Sequence, residues 1–113
     1  MKQMIIDKIE ELGGNVSFVD LRELPGFSGE QDYWDPTKNW VFWQRVSLGF
    51  ILAIHELVRD GIIDVQVTSP TVYLIDDCVL DLPLVKRDVK YKTPSWVPLA
   101  FNKGPNFSKA LAA

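Results

Sequence analysis

The stretch VSLGFILAIHELVRDGIIDV, residues 46–65, constrains the fold more than any other part of the chain. Phe50, Ile54 and Leu57 recur at steps of three and four, the spacing that lines one face of an α-helix. The pattern stops at Gly61, a residue type that ends helices in a left-handed turn. IIDVQV then takes over with the alternation of a strand. A helical period that changes to an extended one across a single glycine predicts a mixed α+β domain.

The flanking sequence adds elements around this switch. Ile5, Ile6, Ile9 and Leu12 sit at helical spacing before Gly13-Gly14, which predicts a first helix over 3–12. Ser17 followed by Asp20 has the form of a capping box, so a short second helix carrying Val19, Leu21 and Leu24 should start there and end at Pro25-Gly26. Asn15 and Val16 fit a short strand ahead of it. Residues 25–37 form a Trp-containing loop by composition. Asp35-Pro36 fits a helix entry, since Asp can cap and Pro is tolerated in the first turn. A long third helix is therefore expected from about Thr37 to Asp60. Trp43, Phe50, Ile54 and Leu57 would face its core, flanked by Trp40, Ile51 and Val58 on one edge and Val46 and Ala53 on the other. IIDVQV and TVYLID should pair as a hairpin around Thr68-Ser69-Pro70. Beyond Cys78 the prolines leave room only for short strands, Val89 and Tyr91 being the strongest candidates.

GNVSFVDLREL together with AIHELVRDGIIDVQVTSPTVYLI resembles the winged-helix superfamily over residues 3–75, carried chiefly by Ala53, Leu57, Gly61, Ile62 and Ile63. The resemblance implies an α+β fold: a three-helix core, a β-hairpin wing and an irregular, proline-rich C-terminal extension. Residues 1–77 would form the winged-helix-like domain, with a Trp-rich insertion at 25–37. Residues 78–113 would pack on it as an extended segment or stay partly disordered. The insertion and the tail depart from the family pattern.

In winged-helix DNA binders the outward face of the third helix reads base edges through hydrogen bonds. Here that face would carry Val41, Leu48 and Leu52 among Arg45, His55 and Arg59. The leucines can do no more than touch a thymine methyl. Three uses of the face stay open. It is covered internally by the Trp-rich loop or by SWVPLAF, it binds protein, or it reads DNA through Gln44, Arg45 and Ser47. Tyr33 and Trp34 on the loop are candidate interface anchors, aromatic residues being enriched at binding hot spots.

Charge bears on this choice. Residues 1–78 carry six Lys/Arg against thirteen Asp/Glu, while residues 79–113 carry six against two. An acidic body repels phosphate, so DNA contact would lean on Arg59 and on Lys86, Arg87, Lys90 and Lys92 in the tail. KRDVKYK equally suits an edge strand kept apart from others by its lysines.

Little in the chain points to chemistry. One histidine, His55, and one cysteine, Cys78, give no metal-ligand spacing and no nucleophile–base pair, and no cofactor is implied. Asp76, Asp77 and Asp81 cluster without an implied pocket. The 47% hydrophobic content and four tryptophans exclude a disordered chain. The charged N-terminus is unlike a signal peptide and the longest apolar run is too short to span a bilayer, so a soluble, cytoplasmic protein is expected. KALAA, residues 109–113, resembles the end of the bacterial tag that directs stalled products to ATP-dependent proteases, which suits a short-lived prokaryotic or phage regulator.

The expectation from sequence is a non-catalytic winged-helix module, a small regulator or accessory protein acting through protein contacts, either with a partner or with a second copy. Tyr33, Trp34, Val41, Leu48, Leu52 and His55 would form its surface. The alternative is a DNA-binding winged-helix transcriptional regulator.

Overall fold

The computed structural model describes residues 1–74 and 79–112, the last two as backbone only. Its architecture is mixed α+β, with helices packed against two small sheets. Helix α1 (Lys2–Leu12) buries Ile5, Ile6 and Ile9 and ends at Gly13 in the left-handed conformation. Val16 follows as a single antiparallel bridge to Phe101. Helix α2 (Phe18–Leu21) opens with the expected capping box, in which Ser17 and Asp20 satisfy each other's backbone N–H.

The next segment differs from the expected loop and long helix. Residues Ser28–Asp35 form strand β1, and Trp40–Val46 form strand β2, its antiparallel partner. Asp35 does not cap a helix. Its carboxylate accepts from the Thr37 N–H at 2.9 Å and the Thr37 hydroxyl at 2.6 Å, which folds Asp35–Asn39 into a turn. WVFWQRV is built from aromatic and β-branched residues, which favour the pleated strand over the helix. Asn39 (φ 57°) and Arg45 (φ 60°) bend the chain at either end of β2.

Helix α3 is consequently shorter, Leu48–Arg59, and its N-cap is Ser47. The Ser47 hydroxyl accepts from the Phe50 N–H at 3.1 Å and donates to the Gly26 carbonyl at 2.6 Å, fixing the helix start to the end of the preceding loop. A Cβ at Gly29 would collide with the Ser47 backbone, so only glycine lets β1 pass so close. The C-terminus ends as the sequence indicates. Ile62 N–H donates to Leu57 O and Gly61 N–H to Val58 O, with Gly61 at φ 70°. Phe50, Ile51, Ala53, Ile54 and Leu57 are buried. Full burial of each large side chain is worth about 1.5–3 kcal/mol before entropy is counted.

Strand β3 (Ile63–Val67) starts where expected but takes a different partner. It pairs antiparallel with strand β5 (Leu99–Lys103), not with the described part of TVYLID, Thr71–Leu74. Thr71–Leu74 is instead a helical turn, α4, opened by Ser69-Pro70. The Ser69 hydroxyl accepts from the Thr71 N–H, and Pro70 suits a first helical position. Buried Tyr73 anchors this turn, donating to Leu99 O at 2.6 Å and accepting from the Phe18 N–H at 3.2 Å. Strand β4 (Ser95–Trp96) pairs parallel with β2, giving the sheet order β1-β2-β4. Helix α5 (Phe107–Ala112) closes the described chain and buries Phe107.

Val89 and Tyr91 do not form a strand. Their segment wraps the tip of the β1–β2 hairpin through main-chain and side-chain bonds: Tyr91 N–H to Lys38 O, Trp40 Nε1 to Val89 O and Asn39 Nδ2 to Tyr91 O. The second half of the chain also enters the core. Trp96, Val97, Leu99 and Phe101 pack with Phe18, Trp43 and Phe50 in one cluster. Among the described residues no helix is long and apolar enough to cross a membrane. Ile75, Asp76, Asp77, Cys78 and Ala113, with the side chains of Leu111 and Ala112, lie outside the described residues, and so do the end of TVYLID, the acidic cluster apart from exposed Asp81, and the terminal tag resemblance.

Candidate interaction surface

The outward face of α3 is apolar and uncovered. Leu48 is 58% exposed and Leu52 53% exposed, one turn apart, with His55 and Arg59 continuing along the exposed side. Neither the Trp-rich segment nor SWVPLAF covers the two leucines. The rest of the expected face lies elsewhere. Val41 is 3% exposed within β2, and Arg45 stands at the bend that ends that strand.

Leu52 and His55 form one lip of an open groove of about 780 Å³. The β1–β2 hairpin supplies Tyr33, Trp40 and Phe42 to the opposite wall, and β3 supplies Val65, Gln66 and Val67. Val97 and Leu99 complete the apolar lining with Val58. The structure thus brings Tyr33, Leu52 and His55 together. The Tyr33 ring lies 5.3 Å from that of His55 and 5.3 Å, edge-on, from that of Phe42. Trp34, 43% exposed, lies outside the groove lining, as does Leu48.

Charge contributes little to the groove. Burial pushes the Tyr33 phenol up to about 12. Glu56 pairs with Lys2 at 2.9 Å. Arg59 is held by Asp60 through Nε at 3.0 Å and Nη2 at 3.3 Å, which raises the guanidinium pKa and lowers that of the carboxyl. The groove continues past Trp40 and Val67 into a smaller cleft of about 360 Å³, edged by Lys86, Arg87 and Asp88.

The residues expected to read DNA are dispersed. Gln44 is half-buried in β2, Arg45 is exposed at the bend, and Ser47 is consumed as the cap of α3. None of the three lies on the outward face of the helix. Lys86, Arg87, Lys90 and Lys92 are exposed on the segment that wraps the hairpin tip, with the Tyr91 hydroxyl accepting from the Lys86 and Arg87 N–H groups. Lys38 neutralises Asp88 at 2.7 Å. Among the described residues, no group of His, Cys, Asp and Glu side chains comes together as a metal site.

Phe42, Val65 and Val67 belong to the groove but do not stand out in the sequence, and Trp40, expected at the edge of a helical core, lines the groove from a strand instead. The signal that could have placed Trp40 and Phe42 is the strand-like composition of WVFWQRV, which turns alternate side chains to opposite faces. Comparison with protein-family models, curated proteins and solved structures gives no match.

Proposed function

We propose that this chain is a non-catalytic binding module, a small regulatory or accessory protein that holds another polypeptide against the outward face of α3 and the adjoining groove. The observation that carries this is the joint exposure of Leu48 and Leu52 on α3, with Leu52 at the lip of a groove walled by Tyr33, Trp40 and Phe42 and Leu48 one turn away from it. Contiguous exposed apolar surface marks interaction sites, and aromatic side chains supply much of the energy at interfaces. The nearest charges are already paired, so the surface selects for apolar contact.

The frame supporting it is a winged-helix arrangement in which β5 replaces the local second wing strand. The order α1, Val16, α2, α3, β3, β5, interrupted by the β1–β2 hairpin before α3 and by α4 and β4 before β5, supports this reading, with β5 between Val16 and β3. On that frame α3 is the recognition helix, turned to protein. The acidic body and the leucines of α3 weigh against DNA. A gel shift with random duplex at low salt separates the two readings: retardation there favours nucleic acid.

The main test uses Leu48→Asp/Leu52→Asp. Both side chains are more than half exposed, so the variant should keep the wild-type circular dichroism and melting temperature within a few degrees. As bait in extract of its native host it should lose the partner that wild type retains. Retention of that partner, or loss of cooperative unfolding, would overturn the proposal.

A further inference from the structure

We infer that β3 is a self-pairing edge, through which a second copy of this chain adds its own β3 antiparallel and in register about Val65. This rests on the proposed protein-binding face, since Val65 and Val67 line the same groove as Leu52. The pairing of β3 with β5 fixes which backbone groups are spent. Thr68 N–H donates to Pro98 O and Gly104 N–H to Ile62 O, so the even-numbered residues of β3 point their main chain at β5. By the alternation of antiparallel ladders, Ile63, Val65 and Val67 point theirs to the other edge. Among the described residues no strand pairs with that edge. The one bond found there is local, from Val65 N–H to the Asp64 carboxylate at 3.1 Å.

The sequence of the strand fits itself. In antiparallel pairing centred on Val65, the odd residues oppose one another and all their outward N–H and C=O groups find partners. Asp64 then faces Gln66 of the second copy, twice by symmetry. The Gln amide donates to the carboxylate, while Val65 N–H passes from that carboxylate to the opposing carbonyl. No bond is lost in the exchange. A register centred on Asp64 would set two carboxylates face to face, which is unfavourable. One centred on Gln66 pairs fewer outward groups. Val65, 36% exposed, and Val67, 70% exposed, are large apolar side chains left uncovered on an edge that has no lysine or proline to discourage pairing.

Gln66 is exposed and, by strand alternation, its side chain lies on the opposite face from those of Val65 and Val67, so substitutions there leave the monomer folded and report on register. Sedimentation of wild type should show a concentration-dependent dimer. Gln66→Lys, which places an amine opposite each Asp64, should tighten it about three- to tenfold, and Gln66→Asp should weaken it by a similar factor. Amide exchange at Val67 should slow as concentration rises. A wild-type monomer at ~1 mM overturns self-pairing and leaves the α3 surface for a different polypeptide. A dimer indifferent to Gln66 but dissociated by Leu48→Asp/Leu52→Asp also overturns it, while supporting the helix face. If Gln66→Lys and Gln66→Asp both weaken the dimer, the Val65-centred register is wrong.

Discussion

Single residues fix the geometry of the surface. Ser47 joins the α3 start to Gly26 through two hydrogen bonds, so Ser47→Ala should lower stability by about 1–2 kcal/mol, read as a shift in urea midpoint at constant slope. Tyr73 holds α4 to β5 and α2 through its buried hydroxyl. Tyr73→Phe leaves the Leu99 carbonyl without that donor and should cost about 1–3 kcal/mol. Burial pushes Tyr33 and Tyr73 both up to about 12. Their phenols ionise near pH 10 in the unfolded chain but stay protonated in the folded one. Stability present below pH 10 should therefore be lost as pH rises toward 12, at no more than about 1.4 kcal/mol per pH unit for each ring. Urea midpoints at pH 9, 10 and 11 check this, and Tyr73→Phe should flatten the decline.

At the scale of elements, the chain divides into parts whose local signals agree and parts where they compete. Residues 48–61 are legible because apolar period and terminal glycine point to one helix. Residues 40–46 are not: Trp40, Val41, Phe42, Trp43 and Val46 satisfy a helical stripe and a two-sided strand equally well. Their partner, β1, contains Glu30, Gln31 and Asp32 and shows no clean alternation. Asp35-Pro36 also fits both a helix entry and a turn, and the Thr37 bonds decide for the turn. Arg45 marks the resulting joint between β2 and α3, with a φ of 60° that L-residues adopt at a cost. Arg45→Gly should relieve this and stabilise the fold by up to ~1 kcal/mol, glycine's larger unfolded-state entropy offsetting part of the gain. A lower melting temperature for that variant would mean that the arginine side chain itself holds the bend.

Across the whole molecule, the groove exists because distant segments meet. The outward placement of Leu48 and Leu52 could be argued from the sequence, since it depends on one helix, but their exposure could not, since it depends on where the Trp-rich segment and SWVPLAF pack. The opposite wall could not, because it needs the β1–β2 hairpin and the pairing of β3 with β5, more than thirty residues away in the chain. Short-range pattern cannot signal such a pairing, and TVYLID offered a nearer false partner. The tail is structural for the same reason: Trp96, Val97, Leu99 and Phe101 are core residues. Truncation before Ser95 should abolish cooperative unfolding of the whole chain, as followed by circular dichroism.

In the proposed function, polypeptide binds along α3 and the groove. Methyl and amide chemical-shift mapping during titration with the captured partner, or during self-association, tests this. Shifts concentrated at Leu48, Leu52, Val65 and Val67, with the KRDVKYK segment unmoved, are the predicted result. Shifts confined to Lys86, Arg87, Lys90 and Lys92, with the leucines of α3 unchanged, would contradict it.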